Sequence, residues 1–343
     1  MASDTKEAPG HPRKVGIKDI ARAANVSTTA VSYALNGTGR LDEQTRLRVI
    51  RIADQIGYRV NRNALNLRRR KSGVLAIAAS VPEGLSSVLP SMDFFMQIWH
   101  GAVAASLKRG YMLLLIPFGT APKDLETVPV DGGIVIDPVA NDPLVGHFEA
   151  NGLPYVTIGR DAARDPEPAW WVDNDHGTLA LQAFRHLKER GARRIGLILA
   201  APSYAYTVAT RAAYLDWIAQ EGGEPLMVVV EEAPTSTAGY NAALAMLDSP
   251  KPPDAIYAAI DRFAVGTLFA AAARGISVPQ DLKIVSGNDG ILTRTAHIPI
   301  TAIDLVPNRL GREAIEMLLD RIEGAASDRH LILNGRIEVR ASS

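Results

Sequence analysis

The sequence predicts an all-α helix-turn-helix head followed by an α/β core with parallel sheets covered by helices. The first observation is a series of apolar stripes between residues 17 and 57, each at the spacing of an α-helix. The second is an alternation of continuous apolar strands with longer helices beyond residue 71. The third is a concentration of basic residues in the first fifth of the 343-residue chain.

The first two helices of the head have the pattern of a DNA-reading motif. Ile17, Ile20, Ala21 and Ala24 recur at i, i+3, i+4 and i+7, so one face of the first helix is apolar. Polar side chains open the second helix, where they can reach base edges in a major groove. The predicted reading residues are Thr28, Thr29, Ser32, Tyr33 and Asn36.

Turn and cap residues mark where these helices begin and end. Asn25 suits a left-handed turn, Ser27 offers a hydroxyl N-cap to the second helix, and Asp42 offers a carboxylate to the third. Three helices can then close a small core, which we place at residues 15–59. Residues 60–72 are helix-compatible and end in a basic run, so we interpret them as a helical segment and linker.

Charge is divided unevenly along the chain, although the total is +0. Residues 1–72 carry fifteen Lys or Arg against six Asp or Glu, and the remainder carries 22 against 31. A basic head suits a polyanion, whereas an acidic core would be repelled from one. We therefore expect DNA contact to be confined to the head.

The remaining global features indicate an ordinary cytoplasmic protein. Residues 1–14 have no apolar central region, so we interpret them as a disordered tail and not as a secretory signal. No apolar run approaches the roughly 20 residues of a membrane span, and we expect no membrane partner. With Cys at 0, disulfides and thiolate chemistry are excluded, which is consistent with a reducing cytoplasm.

The core pattern predicts two open parallel sheets, because so many strands suit two sheets better than one. The predicted strands are residues 74–79, 111–116, 133–136, 155–158, 195–199, 227–230, 255–259, 282–285 and 301–303. The predicted helices are residues 95–109, 178–190, 207–220, 239–247, 263–274 and 309–323. A final hairpin is predicted where residues 331–333 and 337–339 flank Asn334-Gly335.

An enzyme would need a nucleophile with its base, a metal cluster or a phosphate-binding loop. The 7 His lack metal-ligand spacing, and no Gly-x-Gly-x-x-Gly or Gly-Lys-Ser/Thr loop follows a strand. We therefore expect no catalysis, no cofactor and no metal. A secreted sugar-binding protein would share such a core, but it would need an export signal and would carry no reading head.

Specific motifs cover nearly the whole chain. In the head they are residues 17–27, residues 30–37, Thr45-Arg46, Gly57-Tyr58, Asn61 and residues 64–67. In the core they are residues 109–111, Asp173-Asn174 with Gly177, Gly191 with Ile195-Gly196, Arg211, Asp261 with Gly266, Gly275 with residues 278–282, and Asp289. With these motifs the sequence resembles the lactose-repressor (LacI) family of bacterial transcription regulators.

The resemblance implies a two-lobed core of the periplasmic-binding-protein type, in which three crossovers join the lobes around an effector cleft. We place the first lobe at about residues 73–172 plus 304–327. The second lobe is then about residues 173–303 plus 328–343.

The resemblance also implies a homodimeric repressor whose paired heads bind palindromic operator DNA and whose hinge helices order on that DNA. A leucine from each hinge would wedge into the minor groove and kink it. Leu67 matches that leucine and Ala64 the small residue beneath it. Asn61 and Arg68 complete the predicted hinge contacts.

For the core, the resemblance implies a small-molecule effector, such as a sugar or a related metabolite, bound between the lobes. Arg211 matches an arginine that forks onto effector hydroxyls or carboxylates, although it could instead be a surface arginine. Phe94 and Phe95 match an aromatic pair, of which one can stack on a ring and either could be core.

Further cleft candidates lie where strands end. Asp137, Asn288 and Asp289 end strands at the side where open α/β sheets bind ligands, although Asp289 could equally cap the following turn. Asp261 is the last predicted contact. One residue of Trp170-Trp171 should be core, and the other could floor a sugar site.

Two positions depart from the family's sugar-binding pattern. Ile260 and Asn288 stand where many members carry Asn and Asp. We therefore expect an effector with fewer hydroxyls than an unmodified hexose, or one held by other residues.

Overall fold

The computed structural model describes residues 15–36, 39–58, 71–80, 93–117, 119–161, 170–201, 204–325 and 328–343. The chain divides into two units, Met1–Arg70 and Lys71–Ser343, which we call the head and the core. None of the helices in the described ranges has the length and apolar character that a bilayer crossing requires.

The head contains the three predicted helices, α1 Ile17–Ala24, α2 Thr28–Asn36 and α3 Glu43–Gln55. Asn25 has left-handed dihedral angles, with φ 51° and ψ 53°, as its sequence position predicts. The Ser27 hydroxyl accepts the Ala30 N–H at 3.1 Å. The predicted turn and caps are therefore confirmed.

The apolar stripes of the head meet in a small hydrophobic core. Ile20, Val31 and Val49 come from three different helices and are fully buried against one another. Gly57 ends this region with φ 71°, a conformation that favours glycine. Each helix contributes one side to the core, so the opposite side of α2 stays accessible.

The core contains two groups of strands, which we number in chain order. They are β1 Val74–Ala79, β2 Met112–Leu115, β3 Gly132–Ile136, β4 Tyr155–Ile158, β5 Trp171–Asn174, β6 Ile195–Ala200, β7 Met227–Val230, β8 Ala255–Ala258, β9 Lys283–Ser286, β10 Thr301–Asp304, β11 His330–Leu333 and β12 Arg336–Glu338.

Helices alternate with these strands. They are α4 Asp93–Lys108, α5 Pro143–Ala150, α6 His176–Glu189, α7 Ala205–Glu221, α8 Ser236–Leu247, α9 Asp261–Ala273, α10 Ile291–Thr295 and α11 Pro307–Glu323. A 3-10 turn spans Pro122–Leu125.

The strands form two six-stranded sheets. The first has the order β11-β5-β4-β3-β1-β2 and is parallel throughout. The second has the order β12-β10-β9-β8-β6-β7 and is parallel except for β12, which runs antiparallel to β10. Parallel sheets need helical cover on both faces, and this explains the almost fully apolar composition of the strands.

Each sheet and its helices make one lobe. Helices α4, α5 and α11 pack on the first sheet, and α6 to α9 pack on the second. Within the described ranges the chain passes between the lobes three times, after β5, after β10 and after β11. The two-lobed core with three crossovers is therefore confirmed.

Two predictions about the chain's end and the lobe boundaries are wrong. Strand β11 pairs with β5 in the first sheet and β12 pairs with β10 in the second, so Asn334-Gly335 is a crossover and not a hairpin. The first lobe accordingly reaches Asn174 and includes β11, whereas the sequence prediction places β11 in the second lobe. An Asn-Gly pair between two apolar runs reports a local turn, and it does not report which sheets those runs join.

The prediction also omitted β5, α5 and α10. Strand β5 is four residues long and ends in Asp173-Asn174, so it lacks the continuous apolar run that marked the other strands. Helix α10 has five residues, which is too short for a clear helical period. Helix α5 has eight residues, but its buried residues Leu144, Val145 and Phe148 cover little more than one turn.

Helices α4 and α11 cross at a very short distance. A Cβ on Gly101 would lie 1.9 Å from the Asn308 carbonyl oxygen, and a Cβ on Gly311 would lie 2.0 Å from the Ile98 carbonyl oxygen. Only glycine permits this approach, which fixes the position of α4 and of the residues at its N-terminus.

Candidate functional site

The head presents its reading residues on the exposed side of α2. Thr28 and Thr29 are exposed in the first turn, and Ser32 is half-buried one turn later. Tyr33 is 39% exposed, and a Cβ on Gly39 would lie 2.6 Å from its ring. The ring therefore packs against the backbone of Gly39, and part of it stays accessible.

The other predicted DNA contacts lie outside the described residues. They are Asn61, Ala64, Leu67 and Arg68 of the hinge, together with the side chain of Asn36 at the end of α2. Their roles stay predictions from the sequence.

In the core, a cavity of about 450 Å³ lies between the two sheets. Its wall contains residues from the carboxyl ends of β1, β3, β4 and β5 in the first sheet and of β6 to β10 in the second. This is the position where open α/β sheets bind ligands. The volume is within the range of small-molecule sites.

Four of the seven predicted effector contacts line this cavity. They are Phe94, Phe95, Asp137 and Asn288. Phe95 is buried in the first lobe's core, and Phe94 packs edge-on against it with ring centroids 5.6 Å apart. Phe94 is therefore the member of the pair with more surface to offer a ligand.

Arg211, the predicted chief anchor, does not line the cavity. Thr210 does, and its neighbour Arg211 is exposed because successive residues of a helix point about 100° apart. In this arrangement of the lobes Arg211 has the alternative role of a surface arginine.

Asp261 also lies outside the lining. It is 4% exposed, and its carboxylate accepts the Arg262 N–H at 2.8 Å. Its own N–H donates to Asn288 Oδ1 at 2.8 Å. Burial raises the pKa of Asp261. This pair ties the start of α9 to the end of β9, so Asn288 holds the cavity wall while lining it.

Asp289 is held by side chains, and among the described residues no backbone N–H of the following turn donates to its carboxylate. Its carboxylate accepts hydrogen bonds from the two terminal guanidinium nitrogens of Arg340, Nη1 at 2.8 Å and Nη2 at 2.9 Å, and from the Thr293 hydroxyl at 2.7 Å. Although burial alone would raise it, these hydrogen bonds hold the pKa of Asp289 below its usual value. With its lone pairs occupied and its side chain outside the cavity lining, it is not an effector contact in this arrangement.

The tryptophan pair is divided between two environments, as the strand pattern predicts. Trp170 packs on the first lobe's core, whereas Trp171 stacks on His330 with ring centroids 4.6 Å apart. Neither lines the cavity, so the suggestion that one floors a sugar site is wrong.

The sequence prediction missed a polar group at the end of β5. Asp173 lines the cavity and is 4% exposed; it accepts Arg160 Nε at 3.0 Å, and His176 Nε2 lies 3.4 Å from it. Asp173-Asn174 was recognised as a motif, and applying the strand-end rule to it would have placed these residues in the cleft.

Two tyrosines before and within α7 were also missed. Tyr204 and Tyr206 stack with ring centroids 5.5 Å apart and an interplanar angle of 11°. Burial raises the pKa of both phenols, so they stay neutral and can donate hydrogen bonds. They give the cavity an aromatic wall with polar tips.

Asp137 has an electrostatic environment that disfavours its ionised form. Burial raises its pKa to about 7; the nearby imidazole of His176 opposes this effect and the carboxylate of Asp173 adds to it. A carboxyl group in this state can accept a hydrogen bond as the anion or donate one as the acid. The described residues contain no cluster of side chains suited to a metal ion.

Two family models match the chain. The one described as "Bacterial regulatory proteins, lacI family" matches residues 16–61, which contain the helices of the head. The one described as "Periplasmic binding protein-like domain" matches residues 184–343.

Whole-chain relatives agree with this division. The chain is 28% identical over 339 residues to the HTH-type transcriptional regulator CelR of Thermobifida fusca, which covers 96% of this chain and 98% of that protein. A solved structure of a CelR–cellobiose complex matches with a TM-score of 0.73 and 27% identity, over 96% of this chain and 100% of that chain. The lac repressor dimer bound to operator shares the fold, with a TM-score of 0.75 and 21% identity over 96% of this chain and 99% of that chain.

The HTH-type transcriptional repressor PurR of Escherichia coli O139:H28 is 30% identical to the chain over 328 residues, which are 89% of this chain and 90% of that repressor. A likeness of this extent includes both the reading head and the two-lobed core. The chain therefore belongs to the lacI family of bacterial regulatory proteins.

Proposed function

We propose that this DNA-binding transcriptional regulator is a cytoplasmic repressor whose operator affinity is controlled by a small molecule in the core cavity. The observation that carries the proposal is that one chain joins an exposed reading helix to a cavity between two lobes. A ligand that prefers one lobe arrangement shifts the equilibrium toward it, and the paired heads would then change their spacing.

DNA recognition by α2 is supported by the chemical groups on its exposed side. Thr28 and Thr29 carry hydroxyls and methyl groups, and both kinds of group recognise base edges. The basic charge of residues 1–72 supplies the phosphate attraction that holds the helix in the groove.

A homodimer on a palindromic operator is supported by apolar side chains left exposed on the first lobe. On α4 they are Met96, Val103 and Leu107, with 49%, 40% and 59% exposure. On β2, an edge strand of its sheet, they are Met112, Leu114 and Leu115. A second copy of the chain would remove this surface from water.

Effector binding is assigned to the lining residues and not to Arg211. Asp137 and Asn288 supply polar contacts, and Phe94 with the two tyrosines supplies aromatic surface. The CelR–cellobiose complex supports a carbohydrate-like ligand for this kind of cavity. Because Ile260 adds an apolar side chain to the wall, the ligand should bear fewer hydroxyls than an unmodified hexose.

Sequence-specific binding to the DNA upstream of the protein's own gene tests the proposal. In fluorescence anisotropy titrations we expect the protein to bind this DNA tightly and its affinity to fall steeply as the salt concentration rises. The double variant Thr28→Ala/Thr29→Ala should no longer prefer this DNA over a scrambled sequence. Thr127→Ala, an exposed threonine of the core, serves as the control. Equal affinity for scrambled DNA in the wild type would refute the repressor proposal and favour a sugar-binding protein. Turnover of a bound metabolite would instead favour an enzyme.

A further inference from the structure

The charged groups that line the cavity are acidic. Four carboxylates, Asp137, Asp173, Glu231 and Glu232, face it or its mouth, and among the lining residues of the described chain there is no lysine or arginine. The basic side chain among these lining residues is the imidazole of His176. An anionic ligand such as a phosphorylated sugar would enter against this field.

Three of these carboxylates are either exposed to water or paired with a basic side chain. Glu231 and Glu232 are exposed to water at the mouth. Asp173 is neutralised by Arg160, whose Nε donates at 3.0 Å, and it also accepts the Asn174 N–H at 2.8 Å. Asp137 is left as the enclosed carboxylate with no ion-pair partner among the described residues, and the imidazole of His176 is the basic group near it.

Asp137 is held in place by its backbone. It follows β3 with φ 49°, and its N–H donates to the Ile158 carbonyl oxygen at 2.7 Å. A Cβ on the neighbouring Gly159 would lie 3.2 Å from its Oδ1, so the glycine leaves room for the carboxylate. Among the described residues no side chain or backbone group donates a hydrogen bond to it. An enclosed carboxylate without a donor is costly to keep ionised, and a bound cation relieves that cost.

Aromatic faces line the same region. The stacked rings of Tyr204 and Tyr206 line the cavity together with Asp137, and Phe94 lines it from the first lobe. Ring faces attract cations, most strongly where water is excluded. The Asp137 carboxylate and the aromatic rings therefore both favour a cationic ligand.

We propose that the effector carries a positive charge, as an amino sugar or another protonated amine does, and that the Asp137 carboxylate binds its ammonium group. This inference rests on the proposed function, because it names the ligand class of the effector cavity. A neutral polyol could also donate to Asp137, but it would leave the charge of the enclosed carboxylate uncompensated.

Two sets of matched probes test the ligand class. One is tyramine, 4-(2-hydroxyethyl)phenol and 4-hydroxyphenylacetate; the other is D-glucosamine, D-glucose and D-glucuronate. Ligand-observed NMR and calorimetry on the full chain at about pH 7.5 should rank the amine first and the carboxylate last. We expect the amine to bind roughly tenfold or more tightly than the alcohol.

Asp137→Asn should abolish the preference for the amine, whereas Asp216→Asn, which removes an exposed carboxylate from α7, should keep it. Equal binding of amine and alcohol, tighter binding of the carboxylate, or no binding of either amine would overturn the inference. Each probe that binds is also added to the protein–DNA complex, and release of the DNA is measured. A neutral probe that binds and releases DNA would leave the regulator proposal intact while refuting the cationic effector.

Discussion

Asp93 in the first lobe and Arg294 in the second form an ion pair across the core. Arg294 Nη2 donates to Asp93 Oδ2 at 2.9 Å, and the same oxygen accepts the Ile291 N–H at 3.1 Å. Asp93 begins α4 and directly precedes the lining residue Phe94, so the contact lies beside the cavity. It stabilises the observed arrangement of the lobes.

Asp93→Asn should loosen that arrangement. A partly exposed pair contributes about 0.5–1 kcal/mol, which is enough to shift a balanced equilibrium several-fold. Because the chain has no cysteine, spin labels can be placed at Lys123→Cys and Glu224→Cys without background. We expect a broader distribution of label distances in Asp93→Asn and an unchanged one in Asp124→Asn. Identical distributions in all three proteins would show that this pair does not hold the lobes.

Most helices of both units and most strands of the core follow from their sequence patterns. Ile20, Val31 and Val49 were placed in the head's core by helical spacing, and the N-caps by side-chain chemistry. The predictions that failed concern strand pairing, which depends on residues far away in the sequence. Whether Leu331 to Leu333 pair with β12 or β5 depends on the packing of two lobes, which no local pattern contains.

The cavity lining was predicted in part by the aromatic pair Phe94 and Phe95 and in part by the strand-end rule. That rule correctly gave Asp137 and Asn288, and it would have given Asp173 had β5 been recognised. Arg211 was transferred from a motif, but a helix residue beside a cleft can point in or out depending on the lobe angle. Asp289 was ambiguous because its partner Arg340 is 51 residues away.

The glycine at the crossing of α4 and α11 should be essential for stability. Gly101→Ala introduces a Cβ 1.9 Å from a backbone oxygen, so the helices must separate. We expect the free energy of unfolding to fall by at least about 2 kcal/mol. A Cβ at Gly146 on α5 meets nothing within 4 Å. Gly146→Ala should therefore raise the free energy of unfolding by about 0.5–1 kcal/mol, because alanine favours the helix more than glycine does. Urea denaturation of both variants measures the difference, and similar effects would contradict the close crossing.

The exposed face of α4 should control dimerisation. Leu107→Arg places a charge in the proposed interface, and we expect monomers at micromolar concentration together with reduced operator affinity. Sedimentation velocity measures the change. Leu215→Arg, on the exposed side of α7, is the matched control and should stay dimeric. If Leu107→Arg dimerises as well as the wild type, the interface lies elsewhere.

Asp137 should make the stability of the core depend on pH. Its pKa is raised by burial to about 7, against 3.8 for an ordinary aspartate. Between these values the folded chain holds a proton that the unfolded chain has released, so the free energy of unfolding falls as the pH rises from about 4 to about 7. The upper bound on this loss is about 4 kcal/mol, and water in the open cavity reduces it.

Asp137→Asn should therefore stabilise the protein by roughly 1–2 kcal/mol at about pH 8 and have little effect at about pH 4. The neighbouring residues Asp173, His176 and Arg160 are present in both proteins, so the difference between the two proteins reports on residue 137. Urea denaturation across this pH range measures it, with Asp216→Asn as the control for the change in net charge. A stabilisation that is the same at both pH values would show that the Asp137 carboxylate is not the group that titrates.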